Sequence, residues 1–345
     1  MSRAFLKRSG PLSGVLIIEM CQMVSGPMGA MMLADQGANV IKIEAANGVG
    51  DRFRGVSGAK PSSTPASFAF ANRGKQSLSL NTKSPKGLQA LKKLLMKADV
   101  FIQNMRPGVM ERMGLGYEEI SKLNPKLIYV SISGMGPSGP YSKQMVYDFV
   151  IQALSGMADF ESQDKQGDQV EMVQNIVIDK ITSLNVSNAV NAALFARANN
   201  GNGSGQHVMI NMLDVGTHFM GIENSVAGVI DHPERKETDS SIPSAGPFKT
   251  KDGAFVLNLR TRSTWKRVLN AFHDLPWATK YANPDFRNKN FKQFFEEAKT
   301  SFVNLTTDEC IKRIVKNDLP GSAVLPWDKV HLNEQIQHVS KLLFP

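Results

Sequence analysis

Near its start the chain alternates between apolar runs and turn residues: VLIIEM at 15–20, then SGPMGAMMLADQG at 25–37, then NVIKIE at 39–44. A short, largely apolar run such as 15–20 predicts a strand buried on both faces of a parallel sheet. Pro27 falls where a helix's first turn tolerates it, and Gly37 ends that helix before the second strand. The stretch therefore reads as strand–helix–strand, the opening of a nucleotide-binding α/β domain. A dinucleotide fingerprint, however, wants G-x-G-x-x-G at the first turn. Only Gly26 and Gly29 are present, with Val24 in the place of the first glycine, which argues against a pyrophosphate cradle.

The same patterning continues along the chain. Segments 77–80, 99–104 and 127–133 predict further strands. Ser84-Pro85 reads as an N-cap followed by proline at N1, opening a helix whose Leu88, Leu91, Leu94 and Leu95 form one stripe. Strands alternating with helices predict a doubly wound parallel sheet. From Tyr147 onward the pattern predicts helices over 150–157 and 176–197, stopped by the glycine- and asparagine-rich turn 198–205, and a strand over 206–213. Residues 231–245 are polar, contain Pro233 and Pro243, and make the best linker. Beyond them, two short runs around K-D-G at 251–253 predict a hairpin, and helices are expected over 263–272, 290–303 and 307–316.

Length and composition narrow the classes. A chain of 345 residues exceeds what one hydrophobic core usually serves, so two lobes are expected. The net charge of +9 is spread without a run of five or six like charges, which favours acidic ligands or simple solubility over a nucleic-acid surface. Two cysteines, Cys21 and Cys310, have no metal-like spacing, and no apolar run approaches membrane-spanning length, so a reduced, cytoplasmic protein with no membrane partner is expected. None of the six histidines sits in an H-x-x-H or H-E-x-x-H context, and no G-x-S-x-G elbow occurs, so neither a metal site nor a serine hydrolase has local support. Glu44, ending the second predicted strand, is placed either to hold a ribose hydroxyl or simply to face solvent.

Read singly, the remaining polar candidates are ordinary. Asp179, near the start of the long helix, reads as a first-turn acid suiting the helix dipole. Lys75, Arg106 and Arg112 read as solvated cations, and Asp148 as a polar helix residue. Taken together, ordered blocks carry more: S-G-P at 25–27, G-A-N-V-I-K-I-E at 37–44, G-D-R-F-R at 50–54, N-R-G-K-Q-S-L-S-L-N at 72–81 and A-D-V-F-I-Q-N-M-R-P-G at 98–108. R-M-G-L-G-Y at 112–117, Y-D at 147–148, Q-A-L-S-G at 152–156, V-I-D-K at 177–180, A-A-L-F-A-R at 192–197 and G-Q-H-V-M-I-N-M-L-D at 205–214 extend them. With these blocks the whole chain resembles the family III CoA-transferases, a group that includes formyl-CoA transferase, carnitine CoA-transferase and α-methylacyl-CoA racemase.

The resemblance implies a Rossmann-like large domain over 1–230, a linker over 231–245, a smaller α+β domain over 246–330 and a short tail over 331–345 heading back toward the large domain. It implies an interlocked homodimer. It implies that Asp179 is a nucleophile that moves CoA between carboxylic acids through a mixed anhydride and an aspartyl-CoA thioester. Acyl-CoA and a carboxylic acid are then the substrates, with no tightly bound cofactor. Arg54, Lys75, Asn104, Met105, Arg106 and Arg112 match positions near the CoA nucleotide. Two departures shape the expectation. Formyl-CoA transferases carry a glutamine where Val24 stands and a glycine run that is missing between 222 and 246. Racemases carry a histidine where Tyr147 stands, so transfer is preferred over racemisation, and a catalytically weak CoA-binding homologue remains the other class. Family chains also continue past the small lobe, whereas this sequence ends at Pro345.

Overall fold

The computed structural model describes residues 8–46, 64–162, 170–228, 245–259 and 265–339. The chain divides into two compact units, Met1–Glu234 and Arg235–Pro345. In the first, six strands form one parallel sheet: β1 (Leu16–Met20), β2 (Asn39–Ala45), β3 (Gln76–Leu80), β4 (Val100–Gln103), β5 (Ile128–Ser133) and β6 (His207–Asn211). Their order is β3-β2-β1-β4-β5-β6, the doubly wound order, in which the winding direction reverses between β1 and β4. The helices are α1 (Ser25–Asp35), α2 (Ala66–Ala71), α3 (Pro85–Leu95), α4 (Val109–Arg112), α5 (Tyr117–Leu123), α6 (Asp148–Leu154), α7 (Met157–Ser162), α8 (Val177–Asn199), α9 (Met212–Phe219) and α10 (Gly221–Gly228).

Strand alternation sorts the core into two layers. Ile17, Val40, Val100, Ile102, Ile128 and Val130 pack with Leu33 of α1 and Val186 and Val190 of α8. Ile18, Ile43, Phe101 and Tyr129 face the other way, against Leu91 and Leu95 of α3, Met110 of α4 and Ile120 of α5. Helices thus cover both faces, as a parallel sheet requires. The predicted cap is present: the Ser84 hydroxyl accepts from the Gly87 N–H at 3.1 Å, with Pro85 opening α3.

Two expectations are corrected here, and a third falls almost wholly outside the described residues. The strand read over 206–213 ends at Asn211, and α9 begins at the next residue; alternation persisted into the helix by coincidence. The single helix over 150–157 is two helices, α6 and α7, broken at Gly156, whose φ of 84° is left-handed. The linker 231–245 lies outside the described residues, apart from Ala245, which opens a strand.

The second unit holds an antiparallel sheet of β7 (Ala245–Lys249), β8 (Ala254–Asn258) and β9 (Gly321–Ala323), in the order β7-β8-β9. The predicted hairpin is therefore present and gains a third strand. Around it lie α11 (Trp265–Ala271), α12 (Pro276–Lys280), α13 (Pro284–Lys289), α14 (Phe291–Phe302), α15 (Thr307–Lys316) and α16 (Glu334–Val339). Its core is aromatic: Phe248, Phe255, Phe272, Trp277, Phe294 and Phe302 are buried together. The pattern missed α12 and α13, although Pro276, Asn283 and Pro284 carried start signals; the Asn283 side chain accepts from the Asp285 and Phe286 N–H groups.

Candidate active site

The site is built where three strands end. After β1, the chain turns at Gln22 and Met23, and Met23 adopts φ 63°, a left-handed conformation that costs a non-glycine residue energy. Asn104, just past β4, clasps this turn: Gln22 N–H donates to Asn104 Oδ1 at 2.9 Å, and Asn104 Nδ2 donates to the Gln22 carbonyl at 2.8 Å. α1 then starts at Ser25. A side chain on Gly26 would meet Cys21 Sγ at 2.4 Å, and one on Gly29 would meet Val186 of α8 at 2.8 Å. Both glycines serve close packing, which accounts for a glycine pattern unsuited to a pyrophosphate.

That packing brings the starts of α1 and α8 together. Asp179 lies in the first turn of α8, and its N–H donates to Asp148 Oδ2 at 2.9 Å. Asp148 is only 4% exposed, and its other oxygen accepts from Gln152 Nε2 at 2.6 Å. Gln152 in turn exchanges bonds with the main chain of Val173. Asp148 is thus a buried anchor for the α8 start rather than an ordinary polar helix residue. Burial and then the Asp148 charge push the Asp179 carboxyl up to about 6, against the hydroxyl and N–H of Ser25, which hydrogen-bond it and favour the anion.

Asp179 faces a cleft of about 350 Å³, a size suited to a small-molecule group. Gln22, Met23 and Ser25 form one wall, Asn104, Met105 and Arg106 another, and Ser133, Tyr147 and Met212 close it. The cleft therefore sits beyond the carboxyl ends of β1, β4 and β5, at the point where strand order reverses, where open α/β sheets bind ligands. Among the described residues Arg106 is the one cation lining it, and it is exposed.

The profile of CoA-transferase family III matches residues 12–343. The chain belongs to this family. It is 33% identical over 273 residues to a succinate–glutarate CoA-transferase of Agrobacterium fabrum, covering 76% of this chain and 66% of that relative. It is 29% identical over 359 residues to a formyl-CoA:oxalate CoA-transferase of Bradyrhizobium, covering 96% and 83%. A CAIB/BAIF family protein from Brucella suis superposes with a TM-score of 0.78 at 25% identity, covering 95% of this chain and 88% of that one.

In this family III chain the predicted site residues do not all converge. Asp179, Asn104, Met105 and Arg106 share the cleft; Lys75 and Arg112 are not among its lining, and Arg54 lies outside the described residues. Lys75 is deeply buried. Its ammonium donates to Glu19 Oε2 at 2.8 Å, the Pro27 carbonyl at 2.7 Å and Asn72 Oδ1 at 2.8 Å, which exhausts its three N–H bonds. It ties β1, α1 and the start of β3 together. Arg112 is exposed beside Gly108, at the end of α4. Glu44 accepts from the Ser77 hydroxyl of the neighbouring strand at 2.6 Å. The segment 222–246, whose sequence lacks the glycine run, lies mostly outside the described residues. Two residues that matter were given no role by sequence reading: Ser25, visible only as part of the S-G-P block, and Gln152, visible only as the first residue of the Q-A-L-S-G block.

Proposed function

We propose that this protein transfers CoA from an acyl-CoA to a carboxylic acid through Asp179. The observation that supports this most is a part-buried carboxylate at a helix start, facing a cleft and bonded by Ser25, whose carboxyl at about 6 leaves it ionised at neutral pH. The Asp179 oxygen bonds to the acyl carbon as the C–S bond breaks, giving a mixed anhydride and CoA thiolate. The thiolate attacks the aspartyl carbonyl and the donor acid leaves as its carboxylate, giving aspartyl-CoA thioester. The acceptor carboxylate attacks that carbonyl and expels the thiolate. The thiolate then attacks the acceptor's acyl carbon and frees Asp179. No net proton or electron is gained.

Arg106 is the cation placed to meet a phosphate or a substrate carboxylate, with Asn104 and Met105 shaping the wall beside it. Arg112, and Arg54 by resemblance, are the further cations for the nucleotide, while the Lys75 ammonium is engaged by Glu19, Pro27 and Asn72. Tyr147 lines the cleft where a racemase would hold a histidine, so transfer is favoured over α-proton exchange. The working assembly is an interlocked homodimer in the cytoplasm, with no nucleic-acid or membrane partner; sedimentation of a folded monomer at micromolar concentration would refute the dimer. The test of the chemistry is intact-mass analysis after incubation with formyl-CoA or succinyl-CoA, with oxalate and glutarate as acceptors. A hydroxylamine-sensitive adduct on the peptide containing Asp179 is expected, and an adduct mapping elsewhere would refute the assignment.

A further inference from the structure

A line of polar side chains crosses three strands on the sheet face opposite α1 and α8. Gln103 of β4 is paired in register with Ser131 of β5, and Tyr129 of β5 with His207 of β6. Gln103 Oε1 accepts from the Met105 N–H at 2.8 Å, Gln103 Nε2 donates to Ser131 Oγ at 3.0 Å, and Ser131 Oγ meets His207 Nε2 at 2.9 Å. The protons in this line follow from its first member and from the acceptors within reach. A backbone N–H only donates, so Gln103 must present its oxygen to Met105 and its NH₂ to Ser131. The hydroxyl of Ser131 has one proton and meets no other acceptor among the described residues, so it donates to His207. His207 Nε2 must therefore accept, and the ring proton sits on Nδ1.

We infer that Gln103, Ser131 and His207 form a directional hydrogen-bond relay that holds the turn after β4, making them positioning residues for the wall of the cleft formed by Asn104, Met105 and Arg106. Its consequence for CoA rests on the function proposed above. The imidazole is itself fixed: it stacks on Tyr117 at 4.6 Å and meets Tyr129 edge-on at 5.3 Å. Burial lowers its pKa and outweighs Glu111 and Glu118, which pull the other way, in keeping with the neutral ring the relay needs. The direction of the relay matters because a proton on Nε2 would occupy the second lone pair of Ser131 Oγ and leave the hydroxyl proton without an acceptor among the described residues.

The test compares Ser131→Ala, which removes the hydroxyl, with Ser131→Thr, which keeps it. Nitrogen-15 NMR of the wild type at neutral pH should show His207 protonated on Nδ1 alone, with a mixture of tautomers in Ser131→Ala. Amide exchange at Met105 should quicken by about tenfold in Ser131→Ala and stay near wild type in Ser131→Thr, as a loosened local turn requires. The dissociation constant of free CoA should rise by about fivefold in Ser131→Ala, the scale of one hydrogen bond, while the rate of adduct formation at saturating acyl-CoA holds within about twofold. A wild-type ring protonated on Nε2, or Met105 exchange indifferent to Ser131→Ala, overturns the relay. A wild type that binds no CoA overturns the function proposed above, and the tautomer and exchange results still decide the relay.

Discussion

Two carboxylates in the first unit are taken out of water, and they end in opposite states. Glu19 on β1 is fully buried between Lys42 at 2.9 Å and Lys75 at 2.8 Å. Burial opposes its charge, but the two ammoniums outweigh burial and hold its carboxyl below the ordinary range. Asp179 meets no ammonium among the described residues. Its neighbour is another carboxylate, Asp148, and its carboxyl is raised. A charge neutralised by two ammonium partners is held in place, and their pull on its electrons makes it a poor nucleophile. A charge confined by burial, beside a like charge, is the one with something to gain from forming a neutral covalent bond. The contrast separates a structural carboxylate from the one proposed above as the nucleophile, without reference to any substrate.

Exchanging the two roles is the strongest way to break that contrast. Asp179→Asn keeps size but removes the proposed attacking anion, so transfer should fall by at least on the order of 10³ in steady-state assays, with circular dichroism unchanged. Glu19→Gln should do the reverse: two buried ammoniums lose their counter-charge, and urea unfolding should show a loss of about 3–5 kcal/mol, with little change in turnover per folded molecule. Arg106→Glu should leave stability alone and weaken CoA binding by about 1.5–3 kcal/mol by calorimetry, more at low salt.

The smallest effects sharpen the comparison by pH. Because the nucleophile is the anion, adduct formation should decline as pH falls through about 6, well above the range of an ordinary aspartate. Stability should move the other way. A carboxyl raised in the folded state favours folding while it is protonated, and that contribution is lost as pH rises through about 6. Asp179→Asn should accordingly melt above the wild type at pH 8 and converge with it near pH 4. For Glu19, whose carboxyl is lowered, the contribution is present at neutral pH and disappears only in acid.

Much of the fold was legible because strands and helices here carry their own periodicity. The strand read over 127–133 appears as Ile128–Ser133, and the helix over 307–316 as Thr307–Lys316, where a Thr306/Glu309 capping box fixes the start. Short proline-led helices such as α12 were too brief to show a stripe. At the site, Asp179 was reachable from the V-I-D-K block, yet the meaning of its neighbours was not. Whether Lys75 meets a ligand or Glu19 depends on a partner 56 residues away, and whether Asp148 is solvated depends on one 31 residues away. Spacing along the chain does not contain such distances.

The absent side chain at Gly29 acts as a gauge block for the reaction. It sits one turn along α1 from Ser25, against Val186 at 2.8 Å and the Ser183 carbonyl at 3.0 Å from where a Cβ would stand. One methyl there would push the two helices apart and carry Ser25 away from Asp179, while touching neither of them. An enzyme altered at Gly29 would therefore be expected to show the signature of a damaged nucleophile, with its pH midpoint displaced upward, though every residue that contacts substrate is intact.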